Sequence, residues 1–454
     1  MKTLTSTNQQ IIQRHSDDLH DNIVDQLISG RKLAVIKAPP GSGKTFTLLR
    51  IVRTLIDLHG WKVAIAAQTN NQANDIARQF GLANPDLLMV RIGAAGSAAP
   101  SDFPPAGLWV NSFGDAPDAP GLFVSTTAKW AASGNLPFFD LLAVDEAWQM
   151  AWADLMRCAD ASPRYLLIGD PGQIAPVTSV DVSRWGTSRR APHKAAPSVV
   201  FADPQFKAVR VVGNLPACRR LPAESVPYIK PFYDFDFDAF AQPGDRIFRW
   251  AGETISQNGQ GYELLFEKLE KCEPLLLTIS TAEDGPPAEV DYDLAKAIRN
   301  IVAGLICEDV LIREDARGNE RRVSETDIGI TSSHRAMNGA IRRAFDGEFN
   351  EVRIDTPERW QGLEKPIMIA VHPLSGVTEP SDFDLATGRL CVMASRHKVA
   401  MIFVSRDHVG HTIENVIPAA TQPPGEPDVV GAGRQAHLEF WELLVANDRV
   451  IALP

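Results

Sequence analysis

Ala38-Pro39-Pro40-Gly41-Ser42-Gly43-Lys44-Thr45 is the stretch on which the reading of this chain turns. Immediately before it, Leu33-Ala34-Val35-Ile36-Lys37 is a short apolar run bounded by turn residues, which predicts a buried parallel strand. Immediately after it, Phe46-Thr47-Leu48-Leu49-Arg50-Ile51-Val52 spaces its apolar residues as a helix does. Strand, glycine-rich turn, Lys-Thr and helix in that order make a phosphate-binding P-loop rather than a chance turn. Pro40, Gly41, Ser42 and Gly43 form the cradle. The two glycines let backbone N–H groups turn inward on phosphates, and the helix N-terminus adds its partial positive charge. Lys44 is expected to reach the β- and γ-phosphates and the Thr45 hydroxyl to ligate Mg²⁺. A nucleoside triphosphate is the expected ligand. The first glycine of the regular pattern is replaced by Ala38, a residue almost as small.

A second requirement is met downstream. Leu141-Leu142-Ala143-Val144 runs directly into Asp145-Glu146-Ala147-Trp148-Gln149, a strand ending in two carboxylates. At the carboxyl end of a central parallel strand, Asp145 is placed to hold Mg²⁺ through water and Glu146 to orient the attacking water. The cofactors read from these two motifs are ATP and Mg²⁺.

Composition sets the frame. At 454 residues the chain exceeds one core and predicts two or three domains. With 44% hydrophobic and 22% charged residues it has the make-up of an ordinary soluble protein. No apolar run approaches the ~20 residues that cross a bilayer, and the N-terminus lacks the apolar core of a secretion signal. Five cysteines without paired spacing argue against zinc and against a disulfide framework, and point to a reducing cytoplasm. The net charge of -11 gives no global attraction to nucleic acid, which leaves only a local basic groove for that purpose.

Along the chain, residues 1–212 alternate apolar strands with helical stretches, the pattern of a parallel sheet covered by helices. Expected strands are Leu33–Lys37, Val63–Ala67, Leu122–Ser125, Leu141–Val144 and Tyr165–Ile168. Gly93–Pro120 reads as an irregular insertion and Ser179–Ser198 as a polar surface loop. A second α/β block occupies 213–425, with strands near Ile328–Thr331, Val352–Thr356, Met368–Val371 and Ala400–Val404. Ala419–Gly433 is rich in Pro and Gly, as linkers are, and the tail 426–454 carries an amphipathic helix, Gln435–Ala446, expected to dock on the core. The alternation of Asp and Phe over Asp234–Phe240 reads as a half-buried strand or turn ahead of a base-stacking surface. Trp148 and Trp360 likewise read as packing residues ahead of base stackers, and Cys218 as a small buried filler.

Asp145-Glu146-Ala147-Trp148-Gln149 resembles motif II of the superfamily 1 helicases, and further motifs follow in that family's order. Gln68-Thr69-Asn70 after Val63–Ala67 resembles motif Ia, and Val124-Ser125-Thr126-Thr127 resembles the next strand end that contacts a nucleic-acid backbone. Gly169-Asp170-Pro171-Gly172-Gln173-Ile174-Ala175-Pro176-Val177 is close to motif III, whose glutamine, here Gln173, senses the γ-phosphate. Leu215-Pro216-Ala217-Cys218-Arg219-Arg220-Leu221-Pro222 resembles motif IV, whose arginine meets that phosphate; counting from Leu215 selects Arg220, and counting from Pro222 selects Arg219. Its usual aromatic neighbour is absent. Ser332-Ser333-His334-Arg335 resembles the strand-gripping turn of the second domain, with Ser333 and Met337 replacing Pro and Gln. Thr356–Glu364 matches motif V, which implies Gly362 near the γ-phosphate and Glu364 near the ribose. Arg389–Lys398 resembles motif VI and makes Arg396 the matching arginine finger.

This resemblance covers roughly residues 20–405. It implies an α/β chain of two tandem RecA-like P-loop NTPase domains. The catalytic set is Lys44, Glu146, Gln173, Arg219 or Arg220, and Arg396, with the nucleotide shared by both domains. The implied partner is single-stranded nucleic acid, DNA ahead of RNA, held at Thr69, Asn70, Thr126, Ser332, Ser333 and His334; protein partners are also open, and a membrane is not. The forms of motifs II and V lean toward the 5′-to-3′ branch that includes the Upf-like and RecD-like enzymes. The alternative is a nucleotide-dependent clamp or loader that grips a strand without unwinding. At the position of the family's adenine-reading glutamine stands His20-Asp21-Asn22-Ile23-Val24, and the insertions between motifs Ia and II are short, as in a compact two-domain motor.

Overall fold

In the computed structural model, residues 7–133, 136–178, 180–185, 187–250, 262–283, 285–287, 289–307, 309–418 and 428–453 are described. Ser179 and Gly186 of the polar loop, and residues 419–427 of the linker-like stretch, lie outside them. The chain divides into two compact units, one of Met1–Pro171 with Ala175–Ala217 and one of Gly172–Ile174 with Cys218–Pro454.

The first unit is built on eight strands: β1 (Leu33–Lys37), β2 (Lys62–Ala67), β3 (Met89–Ile92), β4 (Leu108–Val110), β5 (Gly121–Thr126), β6 (Leu141–Val144), β7 (Tyr165–Gly169) and β8 (Arg210–Asn214). They lie in the order β4-β3-β5-β2-β6-β7-β1-β8. Every pairing is parallel, so all carboxyl ends share one edge. The β1 residues alternate between two cores, as the pleat requires. Ala34 and Ile36 join the cluster under Leu48, Ile51, Val52 and Leu55, while Leu33 and Val35 join the one around Trp130, Phe139 and Trp148. Being covered on both faces is what makes the central strands read as unbroken apolar runs.

The helix Lys44–His59 buries Leu48, Ile51, Val52, Leu55 and Ile56, a stripe at the i, i+3, i+4, i+7 spacing. It stops at Gly60, whose φ of 66° lets its N–H close back on the carbonyls of Ile56 and Leu55. The stretch Gly93–Pro120, expected as an irregular insertion, is more ordered than its composition indicates. It contributes β4, paired to β3 through Val90–Leu108 and Ile92–Val110, and the 3₁₀ turn Phe113–Asp115. Neither β3, β4 nor β8 was among the expected strands. The first two are only 4 and 3 residues long, and β8 is a half-exposed edge with no apolar alternation.

The second unit holds a six-stranded sheet in the order Arg353–Asp355, Ile328–Thr331, Lys365–Val371, His397–Arg406, Leu275–Ile279, Val450–Ala452. Its pairings are again all parallel. Ile247–Trp250, Val310–Arg313 and Arg321–Arg322 form a small antiparallel sheet beside it. The C-terminal helix runs Val429–Ala446, starting earlier than expected, and buries Val430, Ala436, Phe440 and Leu444. The chain then adds Val450–Ala452 to the sheet edge. In Asp234–Phe240, Phe235 and Phe237 pack with Tyr233 at 5.5 and 5.2 Å, and Phe237 is buried. No helix among the described residues is long and apolar enough to cross a membrane.

Candidate nucleotide site

The P-loop leaves the carboxyl end of β1, between β7 and β8. Gly41 and Gly43 take φ of 60° and 82°, the left-handed backbone that glycine adopts without a Cβ penalty. Gly43 caps the helix Lys44–His59 without any side-chain bond, so the first N–H groups of that helix are left for a ligand. The Ser42 hydroxyl is buried and has no hydrogen-bond partner among the described residues.

Two neighbouring strand ends supply the carboxylates. Asp145 and Glu146 follow β6, and Asp170 follows β7; all three are buried. The Lys44 ammonium lies 2.8 Å from Glu146 Oε1. The Thr45 hydroxyl donates to Asp145 Oδ2 at 2.8 Å, and the Glu146 N–H donates to Asp145 Oδ1 at 2.9 Å. Burial works against the charge on Lys44, but the carboxylates of Glu146, Asp145 and Asp170 outweigh it and raise its pKa. Burial and the adjacent Glu146 together lift Asp145 to about 6, against the opposing pull of Lys44 and the Thr45 hydrogen bond. Glu146 sits at φ 54°, a left-handed conformation uncommon for a residue with a side chain and typical of functional turns. Gly169 makes room for that turn: a Cβ there would lie 2.8 Å from the Ala147 nitrogen.

These residues fit a magnesium nucleotide. The orphaned Ser42 hydroxyl, the uncapped helix start and the Lys44 ammonium converge where phosphates would be cradled, and Thr45 with Asp145 is a hydroxyl–carboxylate pair suited to a hard cation. A Mg²⁺ ion held there by Thr45 and Asp145 would neutralise phosphate charge. Glu146 is held beside this group by its ion pair with Lys44.

In the second unit Arg220 donates through Nε to Glu364 Oε2 at 2.6 Å and through Nη1 to the Ser395 carbonyl at 3.0 Å. This brings one of the two candidate arginines, Arg220, together with Glu364 and with the residue preceding Arg396, which is itself buried. Arg219 turns elsewhere, with its guanidinium 4.0 Å from the Phe240 ring centre. Gln173 is buried, and helix Thr387–Ala394 approaches it so closely that a Cβ on Gly388 would stand 2.5 Å from its carbonyl. Gly362 has φ 78°. Trp148 and Trp360 are packed in cores, Trp360 donating its Nε1–H to the Ile330 carbonyl at 3.0 Å.

The candidate strand-contacting residues all lie at carboxyl edges. Thr69 caps helix Asn70–Ala83 in a reciprocal box with Gln72. Thr126 caps Thr127–Ala132 by accepting from the Lys129 N–H. Ser332 donates to the His334 carbonyl or Asn338 Oδ1, at 2.9 and 3.0 Å. The buried Ser333 hydroxyl has no hydrogen-bond partner among the described residues, and His334 starts helix Arg335–Ala344. Two residues escaped the sequence reading: Asp170, quoted within motif III without a role, whose charge acts on Lys44, and Arg91, buried behind Asn70. An arginine in an otherwise apolar four-residue run was the available signal for the second.

Residues 20–195 match the family model described as an AAA domain, and together with the loop geometry this makes the first unit a P-loop nucleotide-binding domain. No curated protein matches the chain. Among solved structures, the chain is similar to a PRRSV helicase at 15% identity and TM-score 0.41, over 87% of this chain and 55% of that one. It is similar to arterivirus nonstructural protein 10, a helicase, at 14% identity and TM-score 0.43, over 87% of this chain and 64% of that one. A complex of the arterivirus protein with DNA gives 14% and 0.41 over the same shares. The chain thus spans between 55% and 64% of the length of these structures.

Proposed function

We propose that this protein is an ATPase of the superfamily 1 helicase type, which hydrolyses ATP to move along single-stranded nucleic acid, DNA ahead of RNA, and to unwind duplex in the 5′-to-3′ direction. The observation that carries the reading is the pairing of Lys44 with Glu146 and of Thr45 with Asp145 on a P-loop whose Ser42 hydroxyl is buried and has no hydrogen-bond partner among the described residues. A P-loop with both carboxylates in reach is equipped for hydrolysis as well as binding. Support for the nucleic-acid role comes from the ordered motifs and from the strand-end turns at Thr69–Asn70, Thr126 and Ser332–His334. The motif correspondence offers Arg219 or Arg220, together with Arg396, as the residues that neutralise charge on the transferred phosphoryl group, and the contact of Arg220 with Glu364 favours Arg220 over Arg219, which faces Phe240.

Phosphate release is measured with single-stranded DNA, single-stranded RNA, duplex and no polynucleotide, followed by displacement from duplexes with a 5′ or a 3′ tail. The reading expects turnover that rises with single strands and displacement that requires a 5′ tail. Stimulated turnover without displacement from either tail identifies a clamp or loader. Turnover indifferent to every polynucleotide refutes both.

A further inference from the structure

Three chain segments leave the carboxyl edge of the first sheet side by side. The parallel register sets Ala67, at the end of β2, opposite Thr126, at the end of β5, and sets Arg91 of β3 opposite Val124. Asn70 follows β2 and is exposed, whereas the Arg91 side chain behind it is 1% exposed. Arg91 donates from Nη2 to Asn70 Oδ1 at 3.0 Å, from Nε to Asn74 Oδ1 at 2.9 Å and from Nη1 to the Ile92 carbonyl. Its guanidinium also lies 5.2 Å from the centre of the Trp109 ring.

Every one of these partners is neutral, and among the described residues no carboxylate lies within ion-pair distance of Arg91. Burial alone pulls its pKa down to about 10, so the cation persists at neutral pH with no counter-ion among the described residues. An arginine buried without a carboxylate is costly to keep, which singles it out from the structural ion pairs elsewhere in the chain.

The chemistry of the side chains then fixes an orientation. Guanidinium has only donors, so the Asn70 carboxamide must turn its oxygen toward Arg91. Its NH₂ group is thereby aimed away from Arg91. The network continues on the other side. Trp109 donates its Nε1–H to the Ser97 carbonyl at 3.1 Å and to Asn111 Oδ1 at 3.2 Å. The Asn111 carbonyl accepts from the Lys129 ammonium at 3.0 Å, and the Lys129 N–H donates to the Thr126 hydroxyl. The insertion between β3 and β5 is therefore a strut running from one strand-end turn to the other.

Resting on the strand-binding reading above, we propose that Arg91 is a positioning residue: it locks Asn70 with its amide NH₂ presented to a backbone phosphate of the single strand, and through Trp109, Asn111 and Lys129 it sets the spacing of that contact from the Thr126 turn. A phosphate bound at Asn70 also brings the negative charge that Arg91 lacks.

The test uses the full chain and a fluorescent oligothymidylate, with affinity read by anisotropy and folding by thermal melting. Asn70→Asp keeps an acceptor for Arg91 and adds an ion pair, so it should melt no lower than wild type. It loses the NH₂ donor and adds a negative charge, so strand affinity should fall by at least about tenfold. Arg91→Lys and Asn70→Ala should each lose about tenfold, and the double variant should lose no more than the worse single, because one acts through the other. Wild-type binding with unchanged affinity in Asn70→Asp, or losses that multiply in the double variant, overturns this inference and leaves the strand-binding reading intact. Wild-type protein that binds no single strand overturns both.

Discussion

Glu146→Gln separates binding from hydrolysis. Glu146 stands 2.8 Å from the Lys44 ammonium, with side-chain exposures of 10% and 20%, so the pair is shielded from solvent. At an effective dielectric of about 20, opposite unit charges at that distance attract by roughly 6 kcal/mol before the cost of burying them is counted. A nucleotide must draw Lys44 away from this partner and bring phosphate charge near the carboxylate. Glutamine keeps the shape and the left-handed backbone at position 146 but removes the charge, so nucleotide affinity should stay equal or rise. Hydrolysis should fall by about 10² or more, or at least about 2.7 kcal/mol of barrier, if Glu146 is, as proposed, the group that orients and receives a proton from water. Titration with a fluorescent ATP analogue reads the first quantity, and single-turnover phosphate release reads the second. Near-normal phosphate release by a folded Glu146→Gln protein would refute the assignment of the water-orienting role. A loss of nucleotide affinity with unchanged chemistry would show the carboxylate to be a binding group.

The two motif IV arginines should behave unequally. Arg220→Ala is expected to cut strand-stimulated ATP turnover by about 10³-fold, the scale of an arginine that stabilises phosphoryl-transfer charge, and Arg219→Ala, which loses a stacking contact with Phe240, by much less; equal effects in a steady-state phosphate assay contradict the assignment. Gly169→Ala should destabilise the first unit by about 1–3 kcal/mol in urea unfolding, since its Cβ would meet the Ala147 nitrogen at 2.8 Å. Acid should weaken the second unit through its buried histidines. Burial drives His437 to about 3, and burial with the nearby Arg220 charge does the same to His397. Both bind protons more readily unfolded, near pH 6.5, so their contribution is full above that pH and declines from there toward pH 3 by about 1.4 kcal/mol per histidine per unit. His437→Leu should flatten the profile of stability against pH between 6 and 4, and a profile of unchanged slope rules out a neutral buried His437.

The P-loop, the strand before it and the helix after it were legible because their chemistry is local. Glycines at Gly41 and Gly43, an apolar run of five residues and a 3.6-residue stripe need no distant partner to be recognised. Asp145 and Glu146 were legible for the same reason, as carboxylates closing an apolar strand. The strands β3, β4 and β8 were not, because short or half-exposed strands exist only through the neighbours they pair with. Nor could counting along the chain choose between Arg219 and Arg220: adjacent side chains diverge by backbone geometry, and only the fold shows one meeting Glu364 and the other Phe240. Arg91 is the clearest case. Its four letters of context, Met89-Val90-Arg91-Ile92, describe a strand with one charge in it. That the charge lies buried against Asn70 and Trp109, 21 residues before it and 18 after, is decided by parallel pairing that stacks distant strand ends along one edge.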